Sequence, residues 1–412
     1  MRVLVLGGGV VGVTTAYRLQ RDGHEVVLVE RLADVASDTS AGNAGMIAPG
    51  HSFVWSSPRA PWILLKSLVL KDQALRFKPS LDPRLWTWCW QFLMQCTSAH
   101  ARANTLRKHQ IAVYSQRVLQ QTLADDAVAY DRNTRGILYF YRDAAALGAG
   151  VAHMQLLAED GQRIEVLDRA QVLAQEPALA ASGDKIAGGI LCPTDETGDC
   201  AMFTRGLAAL CRDRGVAIRT GVTVQAIETA GDAVTGVRTS AGVLTADAYV
   251  LALGCQSPFL SRPIGVDLPI HPIKGYSMTM PIGHHRAPPT MAVLDEHNLV
   301  AVSRFGDRIR VTATAEFAGY DTRHKPADFA HMTSVVRELY PDGADYARAE
   351  MWAGLRPMTP DNLPIIGRKR HRNLWYNTGH GHIGWTMSHG SARLVADLIA
   401  GRTTEIPVEG LA

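Results

Sequence analysis

Residues 3–6 form a short apolar, mostly β-branched run with no polar alternation, the pattern of a strand covered on both faces of a parallel sheet. Glycines follow at once, then a helical pattern over 13–20 and a second strand over 24–29. After a long interruption this alternation resumes: 204–215 reads as a helix, and 216–227 and 248–254 are β-rich. Between and beyond these lie strand-like runs at 136–141, 269–280 and 298–315, and a helix is expected to start near Trp385. The pattern predicts an α/β chain (α+β, two domains) with a discontinuous nucleotide-binding part at 1–82, 165–262 and 352–412. A substrate-binding part, built on a mainly antiparallel sheet, is expected at 83–164 and 263–351.

Two segments break the amphipathic rule. PWILLKSLVL at 61–70 and LWTWCWQFLMQC at 85–96 are apolar almost all round, with Trp86, Trp88 and Trp90 crowded together. Such helices are either buried or lie in a membrane interface, where tryptophan is favoured. No run reaches the roughly 20 apolar residues of a spanning helix, and the N-terminal run is too short for a signal peptide. The expectation is a cytoplasmic protein, at most peripheral on the inner face of the membrane.

Composition narrows the partners. The 412 residues are 47% hydrophobic and 20% charged, ample for a large packed core. A formal charge of +3 without a long basic run argues against nucleic acid. The six cysteines show no CxxC pair and no zinc spacing, and are read as inert buried thiols of a reducing compartment.

The chemistry begins at VLVLGGGVVGV. Gly7, Gly9 and Gly12 supply GxGxxG between a strand and a helix, with Val10 and Val11 at the helix start. Gly7 permits the tight turn, Gly9 lets a pyrophosphate approach the backbone, and Gly12 lets helix and strand pack closely. The helix N-terminus then faces the phosphates. Glu30 ends the second strand near the spacing of about 20 residues at which an acid binds the ribose hydroxyls, with Arg31 beside it. An acid there disfavours NADP and leaves NAD and FAD.

The next segment, TSAGNAGMIAPG, carries Ser40, Asn43, Ala44, Gly45 and Met46 on a backbone bare enough to lie against a flat ring, or to be an ordinary flexible loop. No second GxGxxG follows for a separate nicotinamide cofactor. Val224 and Gly254, in the later β-rich runs, are assigned to the same nucleotide.

The ordered motifs GGGVVGV, TSAGNAGMIAPG, PTDETGDC, KGYSMTM, WAGLRPMTPDNLPIIGR and NTGHGHIGWTMSHG resemble the small subunit of bacterial D-amino-acid dehydrogenase, in the FAD-dependent D-amino-acid oxidase and glycine oxidase superfamily. The likeness runs nearly end to end. It implies an FAD enzyme that oxidises a D-amino acid to the imine, which water converts to the 2-oxo acid and ammonia, with electrons passed to a quinone or another non-oxygen acceptor. Met46 and His51 depart from the family pattern, so substrate preference is the property least carried over.

Oxidation at Cα needs a carboxylate clamp. Arg356 in GLRP is the best candidate, because guanidinium grips a carboxylate with two parallel bonds, and the resemblance implies the same role. A structural ion pair with Asp361 is the competing reading. Tyr276 and Lys274 form a second tier, as does His51, although aromatic residues in strands are more often packing and a lone loop histidine usually does neither job. Asp195, Glu196 and Asp199 read as a turn whose acids cap a helix beginning near Met202, not as a metal site. The glycine cluster Gly379, His380, Gly381, His382, Ile383, Gly384, followed by Trp385 and Thr386, is assigned to the ring of the same cofactor: its bare N–H groups and positive helix end suit the electron-rich edge of a reduced flavin. Its histidines lack zinc spacing. No cysteine follows Cys255, so a C-terminal thioether link to flavin cannot form and the FAD is expected to be non-covalent. A D-proline or hydroxy-D-proline dehydrogenase, a glycine or sarcosine type oxidase, and a nucleotide-binding sensor or structural subunit are the alternatives. Arg356 beside an intact flavin loop argues against the last.

Overall fold

The computed structural model describes residues 1–69 and 75–412; residue 70, the last of the expected apolar helix, lies outside them. The first strand and its neighbours form a six-stranded sheet in the order Ile365–Arg368, Leu374–Thr378, Ala248–Leu251, Arg2–Leu6, Glu25–Val29, Ala217–Arg219. All pairings are parallel except that of the first two strands. Val3 and Val5 point into a core shared with helices Val10–Arg21, Cys200–Asp213 and Gly384–Ile399. Leu4 and Leu6 point the other way, against a three-stranded sheet made by Val224–Ala230, Ala233–Thr239 and Gly242–Leu244. Burial on both faces is why these strands show no polar alternation.

The second sheet has nine strands and is mainly antiparallel: Glu350–Met358, His271–Pro281, Arg308–Phe317, Val300–Phe305, Ala292–Asp295, Ile137–Tyr141, Gly188–Cys192 and Glu165–Asp168 in spatial order, with Leu75–Phe77 pairing beside Arg308–Phe317. One face packs on helix Ala330–Leu339. The other looks toward the nucleotide-binding half.

The strands do not divide at the boundaries expected from sequence. Strands 75–77, 165–168, 188–192 and most of 350–358, placed with the nucleotide-binding segments, belong to the nine-stranded sheet. Helix Ser98–Asp125, placed with the substrate-binding segments, packs instead on helix Gly384–Ile399 in the nucleotide-side core. The close approach depends on Gly390, where a Cβ would stand 2.8 Å from that of Ser115, and its N–H donates to the Ser115 hydroxyl at 3.0 Å. Strand spacing along a chain says nothing of which sheet a strand joins, whereas helix contacts depend on such single small residues.

The acids of PTDETGDC fall into separate structural roles. Asp199 is the N-cap of helix Cys200–Asp213, accepting from Ala201 and Met202 N–H, while Glu196 meets Arg132 at 2.7 Å and Asp195 is buried against Gly50. All six cysteines are free thiols, and burial pushes each of them up in pKa.

Candidate active site

Between the two sheets lies a cavity of about 790 Å³, within the size range of cofactor and ligand pockets. Gly7, Gly9, Val10, Val11, Glu30 and Arg31 line one end. The N-cap of helix Val10–Arg21 is Gly9, which has no side chain to cap it, so the first-turn N–H groups beyond Val10 are left for a phosphate. Glu30 is held by the N–H groups of Gly8 at 2.7 Å and Leu32 at 2.9 Å, so its remaining lone pairs face the cavity as acceptors. Ser40 accepts from Val10 N–H at 3.0 Å and ties the following loop to the helix start.

That loop is bare because three side chains from the nine-stranded sheet press on it. A Cβ on Gly42 would overlap the Trp352 ring, and one on Gly45 would overlap the Phe305 ring. The Arg310 guanidinium donates to the carbonyls of Ala41 at 2.8 Å and Asn43 at 2.9 Å. Asn43, Ala44 and Met46 line the cavity, as do Val224 and Gly254.

The second glycine cluster closes the opposite wall. Gly379, His380, Gly381, His382, Ile383, Gly384 and Trp385 line the cavity, and the helix that starts at Gly384 again has no side-chain N-cap. The Trp385 indole N–H is buried without a hydrogen-bond partner among the described residues. Two helix starts without a capping side chain at the N-cap residue, a cavity-facing carboxylate and a glycine-bare loop suit a dinucleotide whose flat ring reaches the second helix.

Gly12, Gly45, Thr386 and Lys274, also singled out in the sequence, are not among the lining residues. Gly12 serves helix-to-loop packing, its missing Cβ making room for the Gly7 carbonyl. Thr386 braces the loop from behind, accepting from Ala48 N–H at 3.1 Å and donating to the Met46 carbonyl at 3.3 Å. Lys274 turns away and donates to the Arg323 carbonyl. Tyr276 borders the cavity, but its ring lies in the core on the opposite face of the sheet, edge-on to Phe329, with its hydroxyl donated to Glu316.

Arg356 faces the cavity. Its strand partner is Ile273, which puts it on the opposite face of the sheet from Lys274 and Tyr276. The guanidinium folds over Gly275, where a Cβ would stand 2.5 Å from Cζ, and Nη1 donates to the Thr314 carbonyl at 3.1 Å. Thr314 offers that carbonyl because it is bulged out of the ladder, in the left-handed region at φ 62°. The expected alternative, an ion pair with Asp361, does not form; no carboxylate lies within ion-pairing distance among the described residues. Burial alone draws the guanidinium down to about 10.

The surroundings of Arg356 are aromatic and cationic. His51 stacks on Tyr139 with centroids 6.0 Å apart and meets His382 edge-on at 5.6 Å, and His382 stacks on Trp55 at 4.9 Å. Lys108, fully buried, reaches to 3.4 Å from His382 Nε2. Burial lowers Lys108 to about 7 and, with Lys108 and Arg356 nearby, His51 to about 4. Burial and the same cations hold His382 well below the usual imidazole range, so both histidines are neutral near pH 7 and the site has a standing deficit of negative charge.

Several of these residues escaped the sequence reading. Lys108 left a signal: with Thr105, Ala112, Ser115, Leu119 and Thr122 it continues the buried stripe of its helix, a place where a lysine is out of character. Arg310 and Trp352 left none, because their role depends on which loop the sheet faces.

A family model of FAD-dependent oxidoreductases (DAO) matches residues 2–398. The chain belongs to that family. As a member of that family it is an FAD-binding oxidoreductase. The oxidoreductase is 44% identical over 412 residues to D-amino acid dehydrogenase 2 of Mesorhizobium japonicum, covering all of this chain and 99% of that one. It is also 44% identical to D-amino acid dehydrogenase of Paramagnetospirillum magneticum, covering all of this chain and 98% of that one. Its fold matches glycine oxidase from Bacillus cereus with a TM-score of 0.75 at 21% identity, covering 98% of this chain and 96% of that one. L-proline dehydrogenase from P. horikoshii matches with a TM-score of 0.74 at 18% identity, covering 99% and 95%.

Proposed function

We propose that this oxidoreductase converts D-amino acids to 2-oxo acids and ammonia through the imino acid. The observation that carries the reading is Arg356: a half-buried cation with no carboxylate partner among the described residues, on a glycine floor, facing the glycine-lined cradle. An amino-acid carboxylate supplies the missing charge through two parallel bonds. The full-length relatives bearing the name D-amino acid dehydrogenase support the same reaction. Bound FAD supplies the hydride acceptor. The chain's own part is to fix the carboxylate at Arg356, to exclude water with Trp55, Tyr139 and Trp352, and to present neutral His51 and His382, which add no positive charge against an amine that must lose its proton. Anaerobic addition of D-alanine, D-methionine or D-proline to the purified holoprotein is expected to bleach the flavin, while the L-enantiomers are not; bleaching by NADH alone would overturn the reading.

For the electron acceptor we infer a membrane quinone, reached by peripheral attachment. The support is a two-faced helix. In Pro83–Gln95 the residues Leu85, Trp88 and Phe92 are buried, whereas Trp86 and Trp90 are 51% and 65% exposed. Trp62, at 62%, together with Ile63 and Leu65, extends the apolar surface on helix Ala60–Val69. No helix among the described residues is long and apolar enough to cross a membrane. Co-flotation with anionic phospholipid vesicles is expected, and Trp86→Ser with Trp90→Ser should weaken it by at least roughly tenfold, each indole contributing about 1.5 to 3 kcal/mol of burial. Flavin reduction by substrate should be unaltered; equal flotation of the variant would count against this surface.

A further inference from the structure

The cavity holds one carboxylate that neither the cofactor cradle nor the carboxylate clamp uses. Of the acids lining it, Glu30 is engaged by Gly8 and Leu32 N–H, and Asp38 pairs with Arg31 at 2.6 Å. The Glu296 carboxylate has no hydrogen bond or ion pair among the described residues, although it is half-buried beside Leu294 and Leu299. Its backbone is fixed, with the N–H donating to the Phe140 carbonyl at 3.2 Å.

The register places this acid along one line from Arg356. The guanidinium is anchored at Thr314 on strand Arg308–Phe317. Thr312 on that strand pairs with Ala301, and Ala301 with Leu294, so these three side chains share the face that lines the cavity. Glu296 follows Leu294 at the end of its strand, two strand spacings from the Arg356 anchor, or roughly 10 Å. The floor between is small and uncharged. An extended amino acid with an amine or guanidinium at its tip measures roughly 7 Å from carboxylate to terminal nitrogen. With a charge-assisted bond of about 2.8 Å at each end such a substrate spans roughly 12 to 13 Å, a length comparable with the separation of the two backbone anchors once the reach of the Glu296 side chain is allowed for.

We propose that Glu296 is a specificity residue that binds the cationic side-chain terminus of D-lysine, D-ornithine or D-arginine, while Arg356 holds the carboxylate. The inference rests on the D-amino-acid reading and names its substrate class. Both ends of such a substrate then meet an opposite charge that lacks a partner among the described residues, which gives electrostatic complementarity at both ends. Burial and the neighbouring Asp295 raise the Glu296 carboxyl to about 7, as expected of an acid awaiting a cation. Binding of basic substrates therefore strengthens as pH rises through about 7, where the free enzyme gives up that proton.

The test is steady-state turnover of the holoenzyme with an artificial dye acceptor, comparing basic with neutral D-amino acids. The wild type is expected to take D-lysine and D-arginine at least as well as D-alanine and D-methionine. Glu296→Gln should lower kcat/KM for the basic pair by roughly 30-fold or more, with the neutral pair within about twofold. Glu296→Lys should reject the basic pair further and improve D-glutamate, which keeps the assignment testable if the amide alone is tolerated. An equal loss for D-alanine would move Glu296 to the α-amine end and overturn the proposal, as would an unchanged ratio between substrate classes in both variants. If no D-amino acid reduces the wild-type flavin, the functional reading itself fails. If D-alanine does so while the ratio stays fixed, only the Glu296 assignment fails.

Discussion

Arg356→Ala is expected to lower kcat/KM for every D-amino acid by roughly 30-fold to several thousandfold, the effect of about 2 to 5 kcal/mol for truncating one partner of a buried charge pair. Stability should move the other way. In the free protein the guanidinium is partly desolvated with no carboxylate partner among the described residues, and its pKa is depressed accordingly. Removing it relieves that burden, so the thermal midpoint should hold or rise while activity collapses. Arg356→Lys keeps the charge but loses the fork, and belongs between the two. Gly275→Ala tests the floor without touching the clamp's chemistry. The nearest atoms a Cβ there would meet are the far end of the Arg356 side chain, so the guanidinium shifts and KM rises, with flavin content unaltered. Anaerobic flavin reduction against substrate concentration, paired with thermal melts, reads all of these. A wild-type rate in Arg356→Ala, or a melt lowered by several degrees with kinetics intact, would remove the arginine from the clamp.

How much of this was legible in the sequence follows from which constraints are local. The glycine loop after the first strand could be read because each glycine answers a contact within one strand–loop–helix unit, as Gly12 does toward the Gly7 carbonyl. The second glycine cluster was legible for the same reason: the helix start at Gly384 is a short-range feature. Side-chain direction across the nine-stranded sheet is not local. Arg356 pairs with Ile273, so Lys274 and Tyr276 necessarily point to the opposite face. KGYSMTM contains no mark of that register. The Thr314 bulge that anchors the guanidinium is likewise a property of the pairing. Glu296 was overlooked for a related reason: one acid in a turn is ordinary until the fold leaves it facing a cavity without a cation.

Gly12→Ala is expected to yield a protein nearly devoid of flavin. The new methyl would fall on the carbonyl oxygen of Gly7, and neither group can rotate away, because one is Cβ and the other is backbone. Gly7 cannot retreat. It occupies φ 113°, a conformation that strains any residue with a side chain, and it abuts the Ala252 carbonyl, 2.6 Å from where its own Cβ would be. The helix start must therefore lift from the loop, turning the N–H groups at Val11 and its neighbours away from the pyrophosphate. Overpacking of this kind costs about 1 to 3 kcal/mol, and the displaced anion site should weaken FAD binding by roughly a hundredfold or more. Gly148→Ala provides the contrast, since that glycine lies in helix Ala144–Glu159 with nothing within 4 Å of a new Cβ. There the same methyl should stabilise by up to about 1 kcal/mol and leave the visible flavin absorbance at the wild-type level. The ratio of flavin to protein absorbance in the two purified variants decides the matter. Full flavin content in Gly12→Ala would mean that the loop can rearrange without losing the pyrophosphate, and would break the link drawn between that close approach and cofactor binding.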